Sequence, residues 1–210
     1  MSRLIKPTNH RLNLISQDVD IHDLSSLQIQ NLLGDMRRIA AGKRANKDQP
    51  NKQSLAGLAA PQLGKLVRII LVDMDAIPTG PNFSPNLKFF INPRIIKASV
   101  KENLWKEGCF STGEITGAVY RSNRVTVVAF DENGKEFIHN SDNPFQARIL
   151  QHEIDHLDGI RFPSRVRNPK QLHLVNKNDR KDYKENWANW PKLCPFEEWL
   201  EIYNNRPSKA

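Results

Sequence analysis

Gln151-His152-Glu153-Ile154-Asp155-His156 places two histidines four residues apart. On a helix, that spacing puts both on one face, about one turn from each other. Both imidazoles can then reach one metal ion, with Glu153 beside it as a general base. A helix bearing two unconnected surface histidines has the same spacing, so the decision rests on further ligands elsewhere. A hydrolytic metal needs protein ligands plus one open position for water. Cys109, within Glu107-Gly108-Cys109-Phe110-Ser111, is the best third ligand, as a thiolate. Gly108 lets backbone approach closely, and sulfur suits zinc or ferrous iron. A lone cysteine is more often a small buried hydrophobe; the paired histidines make a ligand of this one.

The histidines need a helix, and the sequence supplies its ends. Asn143 or Ser141 caps it, Pro144 occupies the first turn, and Gly159 stops it after Leu157. Val67 to Val72 is apolar and β-branched and reads as a buried strand, with a second strand pattern around Phe89, Phe90 and Ile91 within 87–100. Arg124 to Ile138 reads as a hairpin turning at Asp131-Glu132-Asn133-Gly134. An earlier helix, capped from Asp23, Ser25 or Ser26, runs to about Ala41 with Leu32, Leu33, Met36, Ile39 and Ala40 at helical spacing. Residues 1–22 read as extended or irregular, 42–54 as a basic exposed loop, and 76–86 as a loop marked by its prolines. Strands before and after helices, without βαβ alternation, predict an α+β fold. Residues 1–166 form the expected catalytic domain. Residues 167–210 form a basic tail whose Trp187, Trp190 and Trp199 are expected to pack on that domain or a partner, with a short helix from Phe196 to Tyr203.

With 210 residues the chain can bury a substantial core. No apolar run approaches the ~20 residues that cross a bilayer. The N-terminus mixes Arg3, Lys6 and Arg11 with Asp18 and Asp20 and reads poorly as a signal or transit peptide. Two cysteines are too few for a disulfide framework, so the expected setting is a reduced compartment, the cytosol or an organelle matrix. The net charge of +8 permits weak attraction to polyanions such as ribosomal RNA. No nucleic-acid module is recognisable, so sequence-specific reading is not expected.

A third segment, Gly57-Leu58-Ala59-Ala60-Pro61-Gln62, completes a set. Together with the two motifs above it resembles the signature of the peptide deformylases, which remove the formyl group from nascent bacterial and organellar proteins. The likeness runs from about Leu55 to Arg165, with Gly117, Val119 and Arg121 at the family's offsets from Cys109. It implies small mixed or antiparallel sheets around a central metal-binding helix. It also implies Cys109, His152 and His156 as ligands of Fe²⁺, although spacing alone does not choose iron over zinc or another divalent ion. Glu153 would act as the base, while the Gln62 amide and the backbone N–H of Phe110 would stabilise the oxyanion. Backbone at Ala56, Gly57 and Gly108 would hold the formyl-methionyl peptide as an added strand. Phe145, Ile149 and His152 would line the methionine pocket, and Arg121 would pair with Asp155. The chain departs from the family at Leu55, Phe110, Thr112 and Gly113, all beside the substrate groove, and 42–54 reads as an insertion.

Two other functions fit parts of the pattern. Another metal-dependent amidase or peptidase would take its third ligand downstream, from His173 or Glu185. A non-catalytic ribosome-associated factor would use the basic surface, but the intact base Glu153 argues against decay of an enzyme.

Overall fold

A computed structural model describes residues 3–42, 54–78 and 85–204. Except for Gly42 and Ser54, the expected basic loop at 42–54 lies outside the described residues. Helix α1, Leu27–Ala40, starts at Ser26, whose hydroxyl accepts the Ile29 N–H. Three strands follow: β1 (Gly57–Ala59), β2 (Ile69–Asp73) and β3 (Leu87–Ala98). Next come β4 (Glu102–Gly108), β5 (Ile115–Ser122), β6 (Val125–Phe130) and β7 (Glu136–Ser141). Helix α2, Pro144–Leu157, precedes β8 (Leu172–Leu174), α3 (Arg180–Asn186) and α4 (Phe196–Tyr203). The strands form a five-stranded sheet in the order β1-β2-β3-β6-β7 and a three-stranded sheet, β4-β5-β8. Every ladder is antiparallel, and the α+β expectation holds.

Alternation along the strands decides what covers each face of the larger sheet. Ile69, Leu71, Phe89 and Ile91 join the face of α1 formed by Ile29, Leu32, Leu33, Met36 and Ala40. Ile70, Val72 and Phe90 point the other way and meet Ala147, Leu150, Ile154 and Leu157 of α2. Strand β2 is therefore buried on both faces, which explains its unbroken apolar run. Helix α2 packs on the sheet through one stripe, leaving Arg148, His152 and Asp155 on another. Its ends match expectation: Asn143 Oδ1 accepts the Phe145 N–H at 2.8 Å, and Gly159 turns the chain away at φ 70°.

Two features were not legible. Strand β3 carries a bulge around Asn92, whose φ of 50° lets its side chain exchange two hydrogen bonds with the Val19 backbone. The N-terminal residues, expected to be irregular, form 3-10 turns at His10–Asn13 and Ile21–Asp23 and dock through Ile5 N–H on Gln62 O.

The tail builds the third core. Strand β8 extends the small sheet, and Trp199 is buried among Ile115, Val119, Phe162 and Leu172. Its ring lies 4.5 Å from the Arg161 guanidinium, which donates to Ser111 O at 2.9 Å and Pro7 O at 2.7 Å. Trp199→Ala should therefore cost about 3–5 kcal/mol in urea unfolding, as for other buried aromatics. Leu200→Ala, at a position 38% exposed, should cost far less. Equal effects would mean that α4 does not dock through Trp199. Cys194 is 3% exposed in this core, and burial pushes its pKa up to about 12. Neither access nor thiolate character favours its reaction.

Candidate active site

Strand β4 ends at Gly108, and Cys109 follows in extended backbone before a 3-10 turn at Phe110–Thr112. Opposite it, α2 presents His152 and His156. One donor atom from each of Cys109, His152 and His156 lies within 4.8 Å of the other two, the sole such trio among the described residues. Cys109 Sγ is 3.3 Å from His156 Nε2. The imidazole rings stand nearly perpendicular with centroids 5.0 Å apart, so their nitrogens converge. Burial disfavours the Cys109 thiolate, but His156 and His152 together draw its pKa well below the ordinary value. Burial likewise opposes charge on His152, yet Cys109 and Glu107 raise its pKa well above normal. A thiolate and two imidazoles converging on one point form the donor set of a soft divalent ion, so these residues fit a metal.

Glu107 fixes the orientation of His152, a role sequence reading missed. His152 Nδ1 donates to Glu107 Oε2 at 2.9 Å, which leaves Nε2 for the metal. Glu107 also accepts from Arg121 at 3.0 and 3.1 Å and from Arg148 at 2.6 Å. These bonds hold it ionised well below the usual carboxylate range despite burial. The expected Asp155–Arg121 pair is present at 2.5 Å, and Arg165 joins Asp155 at 2.6 Å. Arg121 therefore bridges two acids, and the paired strands β4 and β5 carry this lattice under the helix. Arg148, one turn before His152, was the available signal.

Glu153 is 5% exposed, and its Oε2 has no protein partner. Burial, with Cys109 and Glu107 adding to it against both histidines, raises its pKa to about 7. Gly57 lies against it: a Cβ there would come within 2.5 Å of Glu153 Oε1, so no other residue fits undisturbed. Gln62 Oε1 accepts the Ala59 N–H at 2.8 Å. That bond fixes the amide orientation and turns Nε2 toward Cys109 Sγ and Ser111 Oγ, each at 3.2 Å. The departures from the family pattern have local partners. Leu55 N–H bonds Ala40 O, and Gly113 adopts a φ of 68°. The buried Thr112 hydroxyl lies within hydrogen-bond reach of Cys109 O and Ile115 O.

A cavity of about 210 Å³ runs over these groups, with Ala56, Gly57, Gly108, Phe145, Ile149 and His152 in its lining. All the groove and pocket residues expected from sequence thus share one cavity. Phe110 lines it too, with its side chain half exposed. His173 plays no part as a ligand: its ring bonds Tyr183 Oη and Lys170 O inside the tail. Glu185 is likewise outside the trio.

The polypeptide deformylase family model matches residues 1–172. The chain belongs to the peptide deformylase family. A Treponema pallidum peptide deformylase is 43% identical over 110 residues, 52% of this chain and 62% of that protein. The Pseudothermotoga lettingae deformylase is 38% identical over 136 residues, 61% of this chain and 73% of its own. The aligned part thus spans less than two thirds of the Treponema protein. Among solved structures, the Met-Ala-Ser-bound class I type b deformylase of Acinetobacter baumannii is 29% identical with a TM-score of 0.65, covering 79% of this chain and 98% of that one. The actinonin-bound Synechococcus elongatus deformylase is 26% identical with a TM-score of 0.63, covering 80% and 81%. Deformylases are metal-dependent hydrolases, which agrees with the trio on α2 and at the end of β4.

Proposed function

We propose that the chain hydrolyses the N-formyl group of formyl-methionyl peptides, using a metal held by Cys109, His152 and His156, with Fe²⁺ as the native ion. The observation that carries this is convergence: three metal donors, an unpartnered buried carboxyl and an oriented amide meet in one cavity. A bound divalent ion would polarise the formyl group and acidify water in the site. Glu153, with a pKa near 7, can take a proton from the attacking water and pass it to the departing amine. Gln62 Nε2 and the Phe110 N–H are the donors for the developing oxyanion. Strand β1 is the edge of one sheet and β4 the edge of the other. Both edges border the cavity, which favours main-chain pairing with an extended peptide and tolerance of many sequences. The pocket beside Phe145, Ile149 and His152 suits the methionine side chain. The reducing setting and a weak attraction to the ribosome rest on the two cysteines and the +8 charge.

The test is formate release from formyl-Met-Ala-Ser by anaerobically purified protein, with products identified by mass. Formate plus intact Met-Ala-Ser is expected; cleavage within the peptide would make the chain a peptidase instead. Gln62→Leu should keep the metal and lower kcat by about 10²–10³, the scale of one lost oxyanion donor. Wild-type kcat in that variant would remove Gln62 from the mechanism.

A further inference from the structure

A second cavity, of about 570 Å³, adjoins the first and shares Lys106, Glu107, Gly108, Cys109, Phe110 and Phe145 with it. Its far wall is the C-terminal segment, where α3 contributes Arg180, Tyr183 and Lys184. These lie beyond the residues matched by the family model. Helix α3 is fixed in place. Lys106 Nζ donates to Lys184 O at 3.0 Å, and the Trp105 and Trp187 rings lie 5.7 Å apart. Buried Tyr183 bonds His173.

The charges of this cavity are unbalanced. Lys106, Arg180 and Lys184 form no ion pair with a described acid, whereas Glu107 is already engaged by two arginines and His152. Glu114 is the remaining acid in the lining. Partial burial, and then the Lys184 ammonium, lower the Lys106 pKa. The second of these is like-charge repulsion. Direction along β4 supplies the link to catalysis. Lys106 to Gly108 border both cavities, and a peptide paired to this edge advances about 3.3 Å per residue, so two residues beyond Gly108 bring it to Lys106, whose Nζ touches Lys184 of α3.

We propose that the second cavity receives the substrate chain beyond its second residue, and that Lys106, Arg180 and Lys184 bind a carboxylate there, either an acidic side chain or the terminal carboxylate of a short peptide. This rests on the deformylase reading of the first cavity. The tail thereby makes the chain selective for formyl-methionyl peptides with a negative charge at about the third residue.

The test compares formyl-Met-Ala-Ser-amide, formyl-Met-Ala-Glu-amide, formyl-Met-Ala-Lys-amide and formyl-Met-Ala-Ser with a free carboxylate. The carboxylate-bearing peptides should exceed the neutral amide in kcat/KM by about five- to tenfold, the scale of a charge-assisted bond at a partly exposed site. Gain from the Glu amide assigns the site to a side chain; gain only from the free acid assigns it to the chain terminus. The double variant Arg180→Glu, Lys184→Glu exchanges exposed residues and should reverse the order of the Glu and Lys amides. Equal kcat/KM for all four peptides, or an unchanged order in the variant, overturns the proposal. If no formyl peptide is turned over, the deformylase reading fails. The cavity is then judged by titrating the protein with Met-Ala-Ser-amide and Met-Ala-Glu-amide. Tighter binding of the acidic peptide, reversed in the double variant, upholds the carboxylate site, and equal binding refutes it.

Discussion

Glu153→Ala should leave the metal content at the wild-type level and lower kcat by about 10²–10⁴-fold, the range for loss of a positioned acid–base group. The carboxyl is not among the three converging donors, so its removal takes no ligand away. It is nevertheless buried with an unpartnered oxygen. A buried polar atom without a partner costs stability. The variant should therefore unfold in urea at the wild-type concentration or above it. This combination separates a catalytic role from a structural one: a structural carboxylate would lose stability and activity together. Glu153→Gln keeps the volume and loses the proton chemistry, so its kcat should fall similarly. Loss of the metal in either variant would make Glu153 a ligand.

Glu107→Ala should be the most destabilising single change at the site, by about 3–5 kcal/mol, because it strips the shared partner from buried Arg121 and Arg148. Metal affinity should fall as well, by about 10–100-fold, since His152 Nδ1 loses its acceptor. Glu102 provides the contrast. It pairs with Arg167 at 2.8 Å on the surface, and Glu102→Ala should cost at most about 1 kcal/mol. Urea denaturation of the two variants, with metal titration of Glu107→Ala, checks both statements. Similar small losses in both would mean that the lattice beneath α2 does not organise the site.

Helix α2 was legible in the sequence because its signals are local. Asn143, Pro144 and Gly159 mark its ends, and the 3.6-residue repeat brings His152 and His156 together. Gln62, Cys109 and Gly57 were legible because each sits in a short motif with few alternative uses. Glu107 was not, although it stands two residues from Cys109. Its partners Arg121, Arg148 and His152 come from two other elements, and only the packing of α2 on β4 and β5 unites them. Arg161 escaped for the same reason: its contacts reach Pro7, Ser111, Asn13 and Trp199, far apart along the chain. The burial of Cys194 escaped likewise, because it is set by strands and helices distant in sequence.

The most direct test of the central claim, that one metal held by Cys109, His152 and His156 runs the chemistry, is X-ray absorption at the metal edge of the anaerobically loaded protein. One sulfur and two imidazole nitrogens around a single metal are expected, with the sulfur lost in Cys109→Ala. A sulfur-free shell in the unaltered protein would contradict the account.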